Sequence, residues 1–407
     1  MNSKNKVALI SAIMSILCCN LTIAAPGDEY NTKNIKKEVI YPAKVRTDFV
    51  RGVDISTLPE IEALGGRFYE NGVSNDLIEI LKNNGVNSIR ARLWVDPTSS
   101  TGEPYGGGNN TLLRSIELGK RAHEHGMTFL LDIHYSDFWA DPKKQNKPKE
   151  WASLTFNDLT ERVYYYTAEI MKAHQDAGVV PYMVQVGNEL NGGMLWPDGK
   201  SWGQDGNEFD RLATLLKAGI QAVHESNRQI KIMLHLAEAG DNNLFRWWFD
   251  EIIKRGVDFD VIGMSYYPWW HGPIDKVKAN MLDTISRYSK PIMLVETSFP
   301  FTSDNGDDLA NSYSDAKPIF DYSISTDGQA KYLSDVMNLL NELPNEKGLG
   351  FYYWEPAWIP INGATWSTLA GMEYSSDKGG VGNSWENQAL FDFNGHALPS
   401  LKAFKGQ

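Results

Sequence analysis

Tyr182-Met-Val-Gln-Val-Gly-Asn-Glu-Leu190 is the most informative stretch of this chain. A short apolar, β-branched run gives way to small and polar residues and finishes on a carboxylate, Glu189. Packing alone gives a buried strand no reason to end that way. A charge opening the next loop is the plain explanation, but a second run ends alike: Pro291-Ile-Met-Leu-Val-Glu-Thr-Ser298, with Glu296 at its tip. Two carboxylates at the ends of two separate parallel strands point to paired acid and nucleophile chemistry.

Outward from these runs the chain alternates regularly. Strands are expected at 49–56, 87–94, 128–135, 182–190, 230–237, 259–267, 291–298 and 348–355. Apolar residues at helical spacing predict helices over 74–84, 111–124, 156–176, 208–226, 244–255, 274–288 and 326–342, with a short closing helix at 399–404. Gly85, Gly126 and Gly178 stand where the first three helices should stop. Strand then helix, about eight times, in strands apolar on both faces, is the pattern of an α/β protein built as a (β/α)₈ TIM barrel. Nothing between Phe49 and Phe404 reads as a linker, so 49–407 is taken as a single domain.

In such a barrel, chemistry gathers at the carboxyl ends of the strands. The unusual residues fall there: Asp54, Arg92, Trp94, His134, Asp137, Glu189, Tyr266, Glu296 and Trp354. Long insertions at the same end (96–110, 136–151, 190–207, 299–325 and 356–389) hold many of the tryptophans, while the returns on the other face are short. Loops of that length in a compact domain are usually functional. Glycosidic cleavage needs one carboxylic acid for the leaving oxygen and one carboxylate across the sugar. At roughly 5 to 5.5 Å separation the carboxylate attacks directly and configuration is retained. From the residues alone, Glu189 and Glu296 can fill either role, provided their surroundings split their pKa values.

Composition sets the outer bounds. A chain of 407 residues, 42% hydrophobic and 22% charged, can build a sizeable core. The 13 Trp and 18 Tyr exceed what that core needs and suggest flat ligand faces. A formal charge of −12 argues against a nucleic-acid partner, which needs a basic footprint. At the start, Lys4 and Lys6 precede the apolar run Val7 to Ile23, and Thr22-Ile-Ala24 offers a cleavage site, so 1–24 reads as an export signal and 25–48 as a polar leader. The run is short and broken by Asn20, which disfavours a membrane span. Both cysteines, Cys18 and Cys19, lie inside it, and cleavage leaves a mature chain without a disulfide. A lipid anchor at either is the alternative, although Ser15-Ile-Leu17 makes a poor lipidation site. The product is exported: secreted, periplasmic or held at the cell surface.

Several long motifs, in order from Phe49 to the end, resemble glycoside hydrolase family 53, the endo-β-1,4-galactanases. They are His134-Tyr-Ser-Asp-Phe-Trp-Ala-Asp-Pro142, Gly187-Asn-Glu-Leu-Asn-Gly-Gly-Met-Leu-Trp-Pro197, Phe351-Tyr-Tyr-Trp-Glu-Pro-Ala-Trp358 and Asn383-Ser-Trp-Glu-Asn-Gln-Ala-Leu-Phe-Asp392. The resemblance implies Glu189 as general acid/base and Glu296 as nucleophile, the latter held by Arg92 and Tyr266. It implies Asn188 on the sugar 2-hydroxyl and Trp354 as a floor, with a cis peptide to Glu355. Asp54, Trp94, His134, Asp137, Trp139, Trp358 and Trp385 are expected as further substrate contacts. The expected activity is retaining endo-hydrolysis of β-1,4-galactan in the type I arabinogalactan side chains of pectin, a step of polysaccharide catabolism, by a monomer needing no cofactor for chemistry. Bacterial relatives often carry a calcium loop after strand seven. Here Asp304, Asp307 and Asp308 supply oxygens, but Gly306 and Ala310 break the alternation, so a structural Ca²⁺ competes with a solvated acidic turn. Another retaining barrel endoglycanase (mannan, xylan or cellulose) and an inactive galactan-binding barrel are the alternatives. A phosphate-handling barrel is disfavoured, because no Gly-rich anion loop follows strands seven and eight.

Overall fold

The computed structural model describes residues 45–406; the expected export signal, both cysteines and most of the polar leader lie outside the described residues. Eight strands form the core: β1 (Val50–Asp54), β2 (Ser88–Leu93), β3 (Thr128–Ile133), β4 (Met183–Val186), β5 (Lys231–Leu236), β6 (Val261–Tyr266), β7 (Ile292–Thr297) and β8 (Gly348–Trp354). Each pairs in parallel with its sequence neighbours, and β8 closes on β1, giving a complete barrel. The expected (β/α)₈ architecture is the one observed.

Seven α-helices wrap the barrel: α1 (Leu77–Asn83), α2 (Leu112–Glu124), α3 (Phe156–Asp176), α4 (Glu208–Ser226), α5 (Asn242–Lys254), α6 (Ile274–Tyr288) and α7 (Thr326–Asn341). The 3₁₀ segment Pro399–Lys405 takes the eighth position. Local chemistry starts them. Thr111, Thr155, Asp241 and Ser325 each accept a backbone N–H of the first turn, satisfying donors a helix end leaves open. Gly178, at φ 74°, ends α3 in a conformation costly for any other residue.

Two stretches depart from expectation. The helix expected from Ser74 begins at Leu77, because Val73–Asn75 pairs with Phe68–Glu70 as a hairpin and Asp76 then caps the helix. A short helix, Leu58–Ala63, precedes that hairpin. Strand β4 stops at Val186, so Glu189 belongs to the loop beyond it.

The barrel interior is plugged by Leu130, Met183, Met233, Val261, Met293, Val295 and Tyr352, all fully buried. Tyr352 reaches across this layer to Ser88 Oγ at 2.6 Å and the Tyr182 hydroxyl at 3.0 Å. It has room only because residue 52 is glycine: a Cβ there would lie 2.3 Å from the Tyr352 ring. Gly52→Ala must therefore displace the ring and break both bonds. The expected cost is about 2 kcal/mol, read as a lower melting temperature that Gly52→Ala/Tyr352→Leu should partly restore.

Candidate active site

Glu296 reaches the barrel mouth because β7 carries one residue more than its neighbour. Along β6 the register runs Met264 to Leu294, then Ser265 to Glu296, leaving Val295 extra. A bulge of this kind re-aims the side chain that follows. At the mouth, Arg90 Nη1 lies 2.8 Å from Glu296 Oε1, and the Tyr267 hydroxyl donates to Oε2 over 3.0 Å. Burial, then the charges of Glu296 and Glu189, raise the Tyr267 phenol well above its ordinary value, so it remains a donor.

Glu189 arrives from the other side. Its backbone sits at φ 46°, and Tyr135, Glu238 and Glu355, just past β3, β5 and β8, share that left-handed region at φ 52°, 63° and 50°. Strained residues clustering on one rim are a mark of functional sites. Ser265 Oγ donates to Glu189 Oε1 over 2.8 Å and lies 3.4 Å from Glu296 Oε2. Two carboxyl oxygens on one hydroxyl can be no further apart than those bonds laid end to end. One hydroxyl thus gathers both carboxyl groups at a single point of the mouth.

The two carboxyls differ electrostatically. Burial, then the charge of Glu296, holds Glu189 well above the ordinary carboxylate range, against the smaller pull of Ser265 and Arg90. Burial also raises Glu296, but Arg90 opposes it directly at 2.8 Å. A shared site takes its proton on the member with less cationic support, so Glu189 is the protonated partner and Glu296 the ionised one.

Beneath them runs a buried ladder of charge. Arg90 also meets Asp54 Oδ2 and Asp132 Oδ2, each at 2.8 Å. Arg92 meets Asp54 Oδ1 at 2.9 Å and Glu355 Oε1 at 2.6 Å, with its guanidinium 4.8 Å from the centre of the Trp139 ring and 5.2 Å from that of Trp354. Burial lifts Glu355 to about 7, with Arg92 opposing. Asn188 is fixed too. Its Oδ1 accepts from Arg90 and Gln185, one Nδ2 hydrogen goes to the Ala140 carbonyl, and the other is available to the cavity.

The cavity above measures about 540 Å³. Trp139, Trp354, Trp358, Trp366, Trp385 and Trp270 wall it, and Arg92, His134, Asn188, Glu189 and Glu296 lie among its lining residues. His134 is held by Trp94 Nε1–H and the Ala140 N–H on Nδ1, with Nε2 2.9 Å from Asp132.

Several expected contacts stand elsewhere. Glu296 is held by Arg90 and Tyr267, not by Arg92 and Tyr266. Arg92 serves Asp54 and Glu355, while Tyr266, facing the helices, donates to the Gly272 carbonyl. Asp54, Trp94, Asp137 and Tyr266 are buried and do not line the cavity. Asp54 anchors the two arginines, and Trp94 packs behind Trp139 at 5.0 Å. Asp137 ties the backbone of Asp96 to that of Lys149. The cis peptide described lies at Trp196–Pro197, not Trp354–Glu355. Sequence reasoning missed Arg90, Asp132, Gln185, His235, Ser265 and Tyr267; of these, Arg90 could have been found by counting two residues back along β2 from Arg92. Asp141, within the stretch His134 to Pro142, also lines the cavity near Glu189, with no signal in the sequence to separate it from its neighbours.

The three aspartates of the acidic loop differ in their surroundings. Asp304 and Asp308 are exposed, and Asp307 accepts the backbone N–H groups of Leu309 and Asn383. Among the described residues, no three His, Cys, Asp or Glu side chains gather to hold a metal ion.

A parallel barrel with two buried carboxyls on one hydroxyl, at the floor of a tryptophan-walled cavity, defines the class: enzymes that cut glycosidic bonds. The family model for glycosyl hydrolase family 53 matches residues 50–404, and the chain belongs to that family. A solved GH53 catalytic domain from Ignisphaera aggregans superposes with a TM-score of 0.82 at 43% identity, over 89% of this chain and 99% of that one. The endo-β-1,4-galactanase of Bacillus subtilis is 36% identical over 100% of this chain and 97% of its own length. A solved fungal β-1,4-galactanase gives a TM-score of 0.71 at 30% identity, over 88% of this chain and 98% of its own.

Proposed function

We propose that this chain is a retaining endo-β-1,4-galactanase, cutting the galactan side chains of pectin by double displacement. Glu189 is the acid and then the base; Glu296 is the nucleophile. The observation that carries the reading is the pair of carboxyls sharing Ser265, one of them bound to a guanidinium. The galactanase relatives support the substrate. In the first half-reaction Glu296 attacks the anomeric carbon while Glu189 protonates the leaving oxygen. In the second, Glu189 deprotonates a water that releases the sugar from Glu296. Asn188 offers its free Nδ2–H to the 2-hydroxyl, a contact that strengthens in the transition state. These groups supply acid, base and nucleophile, so the reaction calls for no cofactor.

Lys4, Lys6 and the apolar run after them support export. Among the described residues no helix is long and apolar enough to cross a membrane.

Incubation with linear β-1,4-galactan, followed by proton NMR, tests the reading. A β-anomer formed first supports it. An α-anomer formed first overturns retention, faster release from mannan, xylan or cellulose returns the other endoglycanases, and binding without turnover returns the inactive barrel.

The pH profile follows from the same pair. Activity falls in acid as Glu296 takes a proton and in alkali as Glu189 loses one. Because burial raises both, the whole bell of kcat/KM should lie above the ordinary carboxylate range near ~4.3. The two limbs report the pair, not single residues. An alkaline limb centred below about pH 5 would contradict the assignment.

A further inference from the structure

We infer that Ser265, oriented by His235, is a positioning residue that fixes which oxygen of Glu189 carries the acid proton and receives the charge that proton leaves behind. The inference rests on the hydrolase reading above. Ser265 is fully buried at the end of β6, and its single hydroxyl meets Glu189, Glu296 and, at 2.8 Å, His235 Nε2. Where its hydrogen points depends on the histidine.

The far side of that ring settles the tautomer. The backbone N–H of Glu189 points at His235 Nδ1 over 3.3 Å, and Gln185 Nε2 lies 3.1 Å away. A backbone N–H can only donate, so Nδ1 is bare. Asn188 Oδ1, also 3.0 Å from Nδ1, takes its hydrogens from Arg90 and Gln185. Burial, then the neighbouring Arg90, keeps the ring neutral by pushing its pKa well below the ordinary value. The one ring proton is therefore on Nε2 and is donated to Ser265 Oγ. With that lone pair occupied, the serine's own hydrogen turns to the carboxyls, and Glu189 Oε1 is the nearer.

A hydroxyl donating to Oε1 disfavours a proton there and leaves the acid proton on Oε2. In the first step a bond forms between Glu296 and the anomeric carbon. The glycosidic bond breaks, its electron pair goes to the leaving oxygen, and that oxygen takes the Oε2 proton. Negative charge thus passes from Glu296 to Glu189, and the Ser265 bond becomes charge-assisted, roughly twice as strong as before. Water attack returns the proton and resets the arrangement. Neither Ser265 nor His235 gives up a proton. The other groups facing Glu189 are Glu296 from β7, Arg90 from β2, Tyr267 after β6 and Asp141 from the loop after β3.

The test is the pH profile of Ser265→Ala, Ser265→Thr and Ser265→Cys on linear galactan. The alanine variant should lose about 10- to 100-fold in kcat with little change in KM. Its alkaline limb should move to higher pH, since the lost bond favoured the ionised form of Glu189. Threonine should restore both. Cysteine fills similar space with a poor donor, so its limb should fall between those of wild type and alanine, and it keeps the test standing if alanine does not fold. An unmoved limb in the folded variants, or a loss confined to KM, overturns the inference. Wild-type enzyme that leaves galactan intact overturns the galactanase reading instead.

Discussion

Glu296→Ala is expected to lose on the order of 10⁵-fold in kcat on galactan while melting at or above the wild-type temperature. The loss follows from removing the group that the proposed mechanism uses to form the covalent intermediate. The stability follows from the ladder below it. Arg90 retains Asp54 and Asp132 after the substitution, so one carboxyl raised by burial disappears without stranding a cation. Active sites commonly hold such stability in reserve. Roles can be separated by adding azide, which fits the space a lost carboxyl leaves. In Glu296→Ala, azide attacks from the emptied side and yields the α-glycosyl azide. In Glu189→Ala, it replaces the water of the second step and yields the β-adduct. The reverse pattern would show that acid and nucleophile have been exchanged, and near-normal turnover in Glu296→Ala would show that Glu296 is not the nucleophile.

How much of this could be read from the residues depends on the kind of signal. The barrel was legible because eight apolar runs and the helices between them each agree with the same fold. Glu189 and Glu296 were legible because a carboxylate finishing an apolar run has no packing reason to be there. The direction of a side chain was not legible. Along β7 simple alternation would turn Glu296 away from the side that Val295 faces, and a bulge defeats that count. Tyr266 and Tyr267 are adjacent and chemically identical, and only the end of the strand determines which one turns inward. Asp54 and Asp137 show a further limit, since a buried carboxylate that holds an arginine or a loop looks the same in sequence as one that holds a sugar. Ser265 and His235 were overlooked because single polar residues inside apolar strands read as satisfied core. Their meaning appears only when β4, β5, β6 and β7 are brought together.

Arg90→Met is expected to be the most damaging single change away from the two carboxyls. The Arg90 side chain is fully buried and lies 2.8 Å from each of Asp54, Asp132 and Glu296. It also donates to Gln185 Oε1 and Asn188 Oδ1 at 3.1 Å each. Methionine fills much of the volume but leaves those carboxylates facing one another without their shared cation. Breaking a buried ion pair from one side costs about 3–5 kcal/mol, which for a domain of this size lowers the melting temperature by roughly 5 °C. The same change frees Glu296 to take a proton, so turnover falls as well. Asp132→Asn separates the two effects. It keeps an oxygen for the N–H of His134 Nε2 but removes one negative charge. In the wild-type background it should destabilise, because it weakens Arg90; in the Arg90→Met background it should stabilise, because it relieves a stranded carboxylate. Thermal melts of the four proteins measure that change of sign. Turnover should stay low in the double variant, since Glu296 still lacks its guanidinium. If Asp132→Asn destabilises both backgrounds equally, the buried ladder is not a coupled unit.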